Sequence, residues 1–297
     1  MEKIEIVAND NNLCGEAPIW DYQKHRMIWL DNESSLVYEY YPDTKKKNII
    51  SRNLPVSAIT LNKNGGYIFA GGTGLHIWEE QGQYRTIVSE YQSDGLAFND
   101  IIADPKGRIY AGTIYWGAEG MLKTGKLYLI DTDEKIRVVD EGIEVSNGLG
   151  FSLDNKILYY ADSSARKIYA YDVQLNGDLK NKRIFVEVPE DEGIPDGLTV
   201  DAQGNIWSAQ WYGAQIVCYD SNGKVIQRIK MPVQQVSSVA FGGKDLKDLY
   251  ITSAANSWRS TVAPKGYDFD SKNIGGAFYR IRMGVKGRRE YMADFKL

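Results

Sequence analysis

The chain has 297 residues, 35 Lys and Arg against 39 Asp and Glu for a formal charge of −4, with 29 glycines, 20 tyrosines and only two cysteines. This mildly acidic, mixed composition argues against nucleic acid or an anionic membrane as a partner, and no apolar run approaches the roughly 20 residues of a spanning helix. The first ten residues lack a basic start and an apolar core, so the chain reads as cytoplasmic, with reduced thiols at Cys14 and Cys218 whose spacing fits no zinc or redox motif.

Short β-rich runs and tight turns follow one another along the whole sequence, and they repeat. Six copies begin with a polar residue followed by an apolar run: Glu16-Ala-Pro-Ile-Trp-Asp21, Ser57-Ala-Ile-Thr-Leu-Asn62, Asn99-Asp-Ile-Ile-Ala-Asp104, Asn147-Gly-Leu-Gly-Phe-Ser152, Asp196-Gly-Leu-Thr-Val-Asp201 and Ser237-Ser-Val-Ala-Phe-Gly242. Their starts lie 41, 42, 48, 49 and 41 residues apart, within the roughly 40–50 residues of a propeller blade. Hairpin chemistry follows each of the later copies, as in Lys63-Asn-Gly-Gly66, Pro105-Lys-Gly107 and Ala202-Gln-Gly-Asn205. Second strands are expected at 67–70, 108–111, 157–161, 206–209 and 249–252, and third strands at 126–131, 167–172, 215–220 and 277–282. The pattern predicts an all-β, six-bladed propeller over residues 1–297, with the alternating segment 1–7 completing the last blade. The basic clusters 45–47 and 180–183 lie in polar, turn-rich stretches and read as solvated loops.

The innermost strand of each blade lines the channel, so the six starts converge on one mouth. All six are oxygen-bearing, and Glu16 and Asp196 are carboxylates, whose burial together is costly without a counter-charge. A divalent cation supplies one. With no His or Cys in the set, Ca²⁺ suits it best, then Mg²⁺ or Mn²⁺, with Zn²⁺ less suited. The alternative is that these side chains hydrogen-bond channel water or strand backbone. His25, in a turn, and His76, in a strand, lie off the repeat starts, and no Ser–His–Asp arrangement can be placed. Tyr115, Trp116, Trp211, Tyr212 and Trp258 follow second strands, where loops should emerge near a channel mouth, and Tyr115, Trp116 and Trp211 are candidate substrate contacts.

The segments Gly15–Asp21, Phe98-Asn99-Asp100, Ser146–Gly150, Tyr160-Ala-Asp-Ser163 and Pro195–Asp201 resemble the SMP-30/gluconolactonase/luciferin-regenerating family, in order along almost the whole chain. The resemblance implies metal ligands at Glu16, Asn147 and Asp196, with Asn99 a further ligand or a substrate contact. It also implies a metal-dependent lactonase acting on a small, sugar-type lactone, as a monomer or weak dimer, with Asp196 as base or nucleophile. A phosphotriesterase-like hydrolase on the same centre and a non-catalytic calcium-binding propeller are the alternatives. Ala97 stands where the animal gluconolactonases carry Arg, and Glu119 is not clearly equivalent to their sugar-binding Glu. A site less demanding of sugar hydroxyls is expected from that loss.

Overall fold

A computed structural model describes residues 3–80, 82–117, 120–256 and 260–297. Six four-stranded antiparallel sheets carry the chain. Their first strands are Gly15–Asp21, Ala58–Leu61, Phe98–Ala103, Ser146–Phe151, Ile194–Val200 and Val236–Gly242. Each of these touches the corresponding strand of the next sheet, and the sixth touches the first, so they close a ring around one axis. This is the expected six-bladed propeller. The outermost strand of the sixth blade is Ile4–Ala8, paired antiparallel with Phe278–Arg282, so the two ends of the chain close the ring as anticipated.

Sequence dictates this layering. Strands in the middle of a blade are covered on both faces by neighbouring blades, so they are apolar without alternation: Arg26–Asp31 and Ile206–Trp211 are buried throughout. Outermost strands face water and are largely exposed, with polar and apolar residues mixed, as in Tyr84–Val88 and Val225–Lys230. The core therefore lies between blades; Trp207 and Cys218 of the fifth blade pack with Phe241 and Ile251 of the sixth. The expected second and third strands form within one or two residues of their anticipated bounds, for example Tyr67–Ala70 and Lys167–Val173.

Two expectations need correction. The basic clusters 45–47 and 180–183 are not loops: they open or lie within the outermost strands Lys46–Arg52 and Leu179–Glu187. An outer strand is an edge, and lysines there discourage edge-to-edge pairing. Their stems still pack, with the Lys182 ammonium 4.4 Å from the Tyr169 ring centroid. Two small hairpins were also unforeseen, Glu90–Tyr91 with Asp94–Gly95 and Tyr115–Gly117 with Gly120–Lys123.

The C-terminal residues 286–295 cross the far face of the ring, over the turns that join first to second strands. The Ala202 amide donates to the Lys286 carbonyl, Gly287 to Leu246, Ala293 to Leu61 and Asp294 to Gly107. Arg288 donates to the Phe151 and Ser152 carbonyls. Asn62 closes the seam from both sides, accepting from the Phe295 amide and donating to its carbonyl. Phe295 and Ala293 are fully buried among Ala58, Ile68 and Ile101. The tail thus adds a strap across blades that are otherwise joined only through the faces they share with their neighbours. Truncating its anchor, Phe295→Ala, should cost about 3–5 kcal/mol, read by denaturant unfolding; a change below about 1 kcal/mol would show the tail to be an ornament on a self-sufficient ring.

Candidate metal centre

Five of the six inner strands carry a one-residue bulge at the same height, where the repeat starts lie. Register shifts fall between Glu16 and Ile19, Phe98 and Asp100, Ser146 and Leu149, Pro195 and Leu198, and Val236 and Val239. A bulge turns a side chain out of the regular alternation and is a common device beside active sites. Here it takes Glu16, Asn99, Asn147, Asp196 and Ser237 out of the blade faces. Ala17, in the first bulge, holds φ at 45°, a left-handed conformation costly for a residue with a Cβ. Gly148 and Gly197 occupy the same position in the fourth and fifth blades. A Cβ on Gly148 would lie 2.5 Å from the Asp196 carbonyl oxygen, and one on Gly197 2.0 Å from Ser238 Oγ. Only glycine lets the inner strands approach this closely.

The six polar starts divide by what their side chains can donate. Ser57 Oγ donates to the Phe98 carbonyl at 2.8 Å, Asn99 Nδ2 to the Ser146 carbonyl at 2.7 Å, and Ser237 Oγ to the Gly15 carbonyl at 2.5 Å. At the fourth blade the link has two parts: Asn147 Nδ2 donates to Ser163 Oγ (2.7 Å), which donates to the Pro195 carbonyl (2.6 Å). In each case the acceptor carbonyl belongs to the residue just before the next blade's repeat start. Asn99 Nδ2 also donates to Asn147 Oδ1 at 3.0 Å. Both amide groups are therefore oriented: the Asn147 oxygen already takes one hydrogen bond, from Asn99, and keeps a second lone pair, while the nitrogens are committed to Ser146, Asn147 and Ser163. Glu16 and Asp196, being carboxylates, cannot make such links. Among the described residues the hydrogen bond to the Glu16 carboxyl comes from its neighbour's amide, Ala17 N, at 3.0 Å.

Among the described residues no basic side chain pairs with Glu16 or Asp196. Burial pushes both carboxyl pKa values up, Glu16 to about 8, with the charge of Asp100 adding to each and that of Glu16 adding to the rise at Asp196. Asp100 is itself raised to about 6 by burial, against hydrogen bonding from the Ile101 amide. Asp100 was not among the sequence candidates, although it stands where the other copies have Ala17, Ala58, Gly148, Gly197 and Ser238. It lines, with Thr60, Thr199, Ser238 and Glu290 of the tail, a cavity of about 70 Å³ in the channel. Glu16 and Asp196, with the Asn99 and Asn147 amides on the neighbouring inner strands, offer oxygen donors of the kind a hard divalent cation takes. Among the described residues no three His, Cys, Asp or Glu side chains lie close enough together to form a metal-binding group by themselves.

The aromatic candidates separate. Trp211 is 5% exposed and packs with Tyr212, Cys14 and Ile194, next to the inner strand of Asp196. Tyr212 has φ 65°, and its phenol is raised to about 12, chiefly by burial, with the charge of Asp196 contributing. Tyr115 and Trp116 lie instead on the small third-blade hairpin, where the Tyr115 hydroxyl donates to the Gly95 carbonyl and Trp116 is 47% exposed. Trp258 and Glu119 fall outside the described residues.

An all-β ring with a carboxylate and amide centre at one mouth defines a class of propeller, and comparison with known proteins places the chain within it. Residues 14–255 match the SMP-30/Gluconolactonase/LRE-like region, and the chain belongs to that family. It is 34% identical to the protein named pentonolactonase XacC of Haloferax volcanii, over 98% of both chains. It is 33% identical to human regucalcin over 97% of both. Among solved structures, a luciferin-regenerating enzyme superposes with TM-score 0.87 at 29% identity, covering 99% of this chain and 100% of that one.

The raised carboxyls set the pH dependence of the cation-free protein. A carboxyl whose folded pKa exceeds its unfolded value keeps, on folding, a proton that the unfolded chain has lost. Its favourable contribution is complete below the unfolded range, 3.8 for Asp, and is lost as pH rises through about 6 for Asp100 and further for the other two. In chelator, the unfolding midpoint should therefore fall steadily between about pH 5 and 8, and a divalent cation that binds the ionised form should flatten that slope. A midpoint that rises across this interval would mean the three carboxyls are solvated.

Proposed function

We propose that the chain is a lactonase that hydrolyses a small, sugar-type lactone to its hydroxy acid, using one divalent cation, Ca²⁺ by preference, held by Glu16, Asn147 and Asp196. The observation that supports this reading is the pair of buried carboxyls, Glu16 and Asp196, without a basic partner among the described residues, with the amides of Asn99 and Asn147 held in fixed orientation by hydrogen bonds. Membership of the family and full-length similarity to a pentonolactonase supply the reaction class and the first substrates to try, pentono-lactones.

When bound, the cation would supply the charge that polarises the lactone carbonyl and offsets the developing oxyanion. The chain's own residues do the rest. Asp196 takes a proton from the attacking water as the new C–O bond forms, and returns it to the ring oxygen as the ring C–O bond breaks. Without a cation, burial and Glu16 would hold Asp196 protonated and unable to act. Asn99, its nitrogen fixed by Ser146 and Asn147, offers its oxygen as a fourth ligand or as an acceptor for a substrate hydroxyl. Trp211, with Tyr212, forms an apolar wall on the Asp196 side. With Ala97 at a position that could have held a cationic donor, recognition rests on the wall and the amides.

Chelation should abolish turnover of a pentono-lactone, and added Ca²⁺ or Mn²⁺ should restore it together with a raised melting temperature. Undiminished hydrolysis in a sample verified to be metal-free would overturn the metal-dependent reading. Cation binding without turnover of any lactone or phosphotriester would leave a calcium-binding propeller in its place.

Asp196→Asn preserves shape while removing a charge and the base. A fall in kcat of about 100-fold or more at saturating cation is expected. Wild-type kcat in that variant, with cation affinity verified, would show that proton transfer is done elsewhere.

A further inference from the structure

Arg166 lies in the turn between the second and third strands of the fourth blade, with φ 57°. Its guanidinium donates to five backbone carbonyls from two distant segments. Nε reaches Val188 (3.3 Å), and Nη2 reaches Pro189 (2.5 Å), Glu192 (2.6 Å) and Gly193 (3.1 Å), all in the segment that leads into the Asp196 strand. Nη1 reaches Val262 at 2.8 Å, in the long loop of the sixth blade. That loop leaves the ring beside the first blade, where the Asn256 amide donates to Leu13. It returns where Gln234 and Gln235 donate to Ile274. To meet Arg166 it must cross the top of the fifth blade. Val262, Ala263, Tyr267 and Phe269 pack there against Cys14, Ile194, Trp211 and Tyr212. The Tyr267 ring lies 4.7 Å from that of Tyr212 and 4.8 Å from that of Phe269.

Carbonyl acceptors alone, without a bound carboxylate, are an unusual shell for a guanidinium. Burial lowers the Arg166 pKa, partly offset by the charges of Glu190, Glu192 and Asp191 in the segment it contacts. Such a cost is tolerated where a rigid, forked donor must hold several chain segments at once, a task a lysine cannot reproduce. Gly193 shows how closely these segments fit: a Cβ there would lie 2.5 Å from both Gly213 N and the Trp211 carbonyl oxygen.

We propose that Arg166 is a positioning residue that pins the sixth-blade loop over the fifth blade as an aromatic roof on the Asp196 side of the mouth, so that a lactone meets an ordered apolar wall on that side and turns its polar edge towards Asn99 and Asn147. The inference rests on the lactonase reading for its substrate, but its structural part stands apart from it. Arg166 touches neither the proposed ligands nor the substrate and acts through the roof. Its loss should therefore alter substrate binding and leave cation binding intact.

The test compares Arg166→Met, Arg166→Lys and, from the opposite side of the contact, Tyr267→Ala. Arg166→Met should raise KM for a pentono-lactone by about tenfold or more, within the range that pocket contacts contribute, with kcat changed by less than about threefold. Arg166→Lys should lie between it and the wild type. Mn²⁺ affinity, measured by calorimetry, should be unchanged in all three. Amide exchange in residues 188–193 and 260–276 should quicken in Arg166→Met, and combining it with Tyr267→Ala should add little further to KM. An unchanged KM, or a fall in kcat alone, would overturn the proposal. If the wild type turns over no lactone, the lactonase reading fails, and the exchange measurement decides the roof alone: unaltered exchange in 260–276 overturns it.

Discussion

The hydrogen bonds that join four of the six inner strands to the carbonyl just before the next blade's repeat start are the constraint on which the rest of this molecule depends. Blades in a propeller meet through packed apolar faces, which resist separation but are tolerant of small slips. The polar links at Ser57, Asn99, Ser163 and Ser237 are directional. They fix the height of each strand relative to the next at the level where the functional groups sit. The same bonds orient the Asn99 and Asn147 amides, so a single set of contacts registers the ring and aims its oxygens. The two junctions without such a donor are those of Glu16 and Asp196. The ring is therefore interrupted where negative charge is concentrated.

That concentration explains several features that would otherwise be disadvantages. A bulge in five of six inner strands, a left-handed Ala17 and glycines at 148 and 197 all weaken a sheet in isolation. The uncompensated carboxyls of Glu16, Asp100 and Asp196 weaken it further. The continuous aromatic and aliphatic core between blades and the tail across the far face offset these costs. Trp29, stacked between Tyr38 and Phe278 at 4.9 and 4.2 Å, is one such join between the first and sixth blades. Stability is thus supplied by the periphery and the far face, and strain is located at one mouth.

Much of this was legible in the sequence because the repeat couples a polar residue to an apolar strand at a fixed spacing. The six polar starts, Glu16, Ser57, Asn99, Asn147, Asp196 and Ser237, follow from that phase, and the closing strand near the N-terminus from its alternation; the choice of ligands among the six comes from the family resemblance. What escaped shares a cause: it is defined by a tertiary partner. Asp100 is one place past a repeat start and becomes significant only when the bulge turns it toward the channel. Ser163 stands in a conspicuous Tyr-Ala-Asp-Ser run, but its role needs Asn147 and the Pro195 carbonyl beside it. Residues 286–295 have no periodicity, because a strap that crosses six turns takes its conformation from them. The basic clusters were misread because an exposed edge strand and a solvated loop share a composition. Tyr115 and Trp116 followed the right kind of strand, yet the hairpin they form brings Tyr115 to Gly95, while Trp211 is packed beside the strand of Asp196.

The account stands or falls on a cation lying at the top of the channel in the shell that the stitched ring prepares. Anomalous diffraction from crystals grown with Mn²⁺ measures this directly. A single strong peak is expected on the axis, with Glu16, Asn147 and Asp196 oxygens at about 2.0–2.6 Å and the Asn147 nitrogen still turned to Ser163. No peak there at saturating Mn²⁺, or one bound by groups away from these three residues, would contradict it.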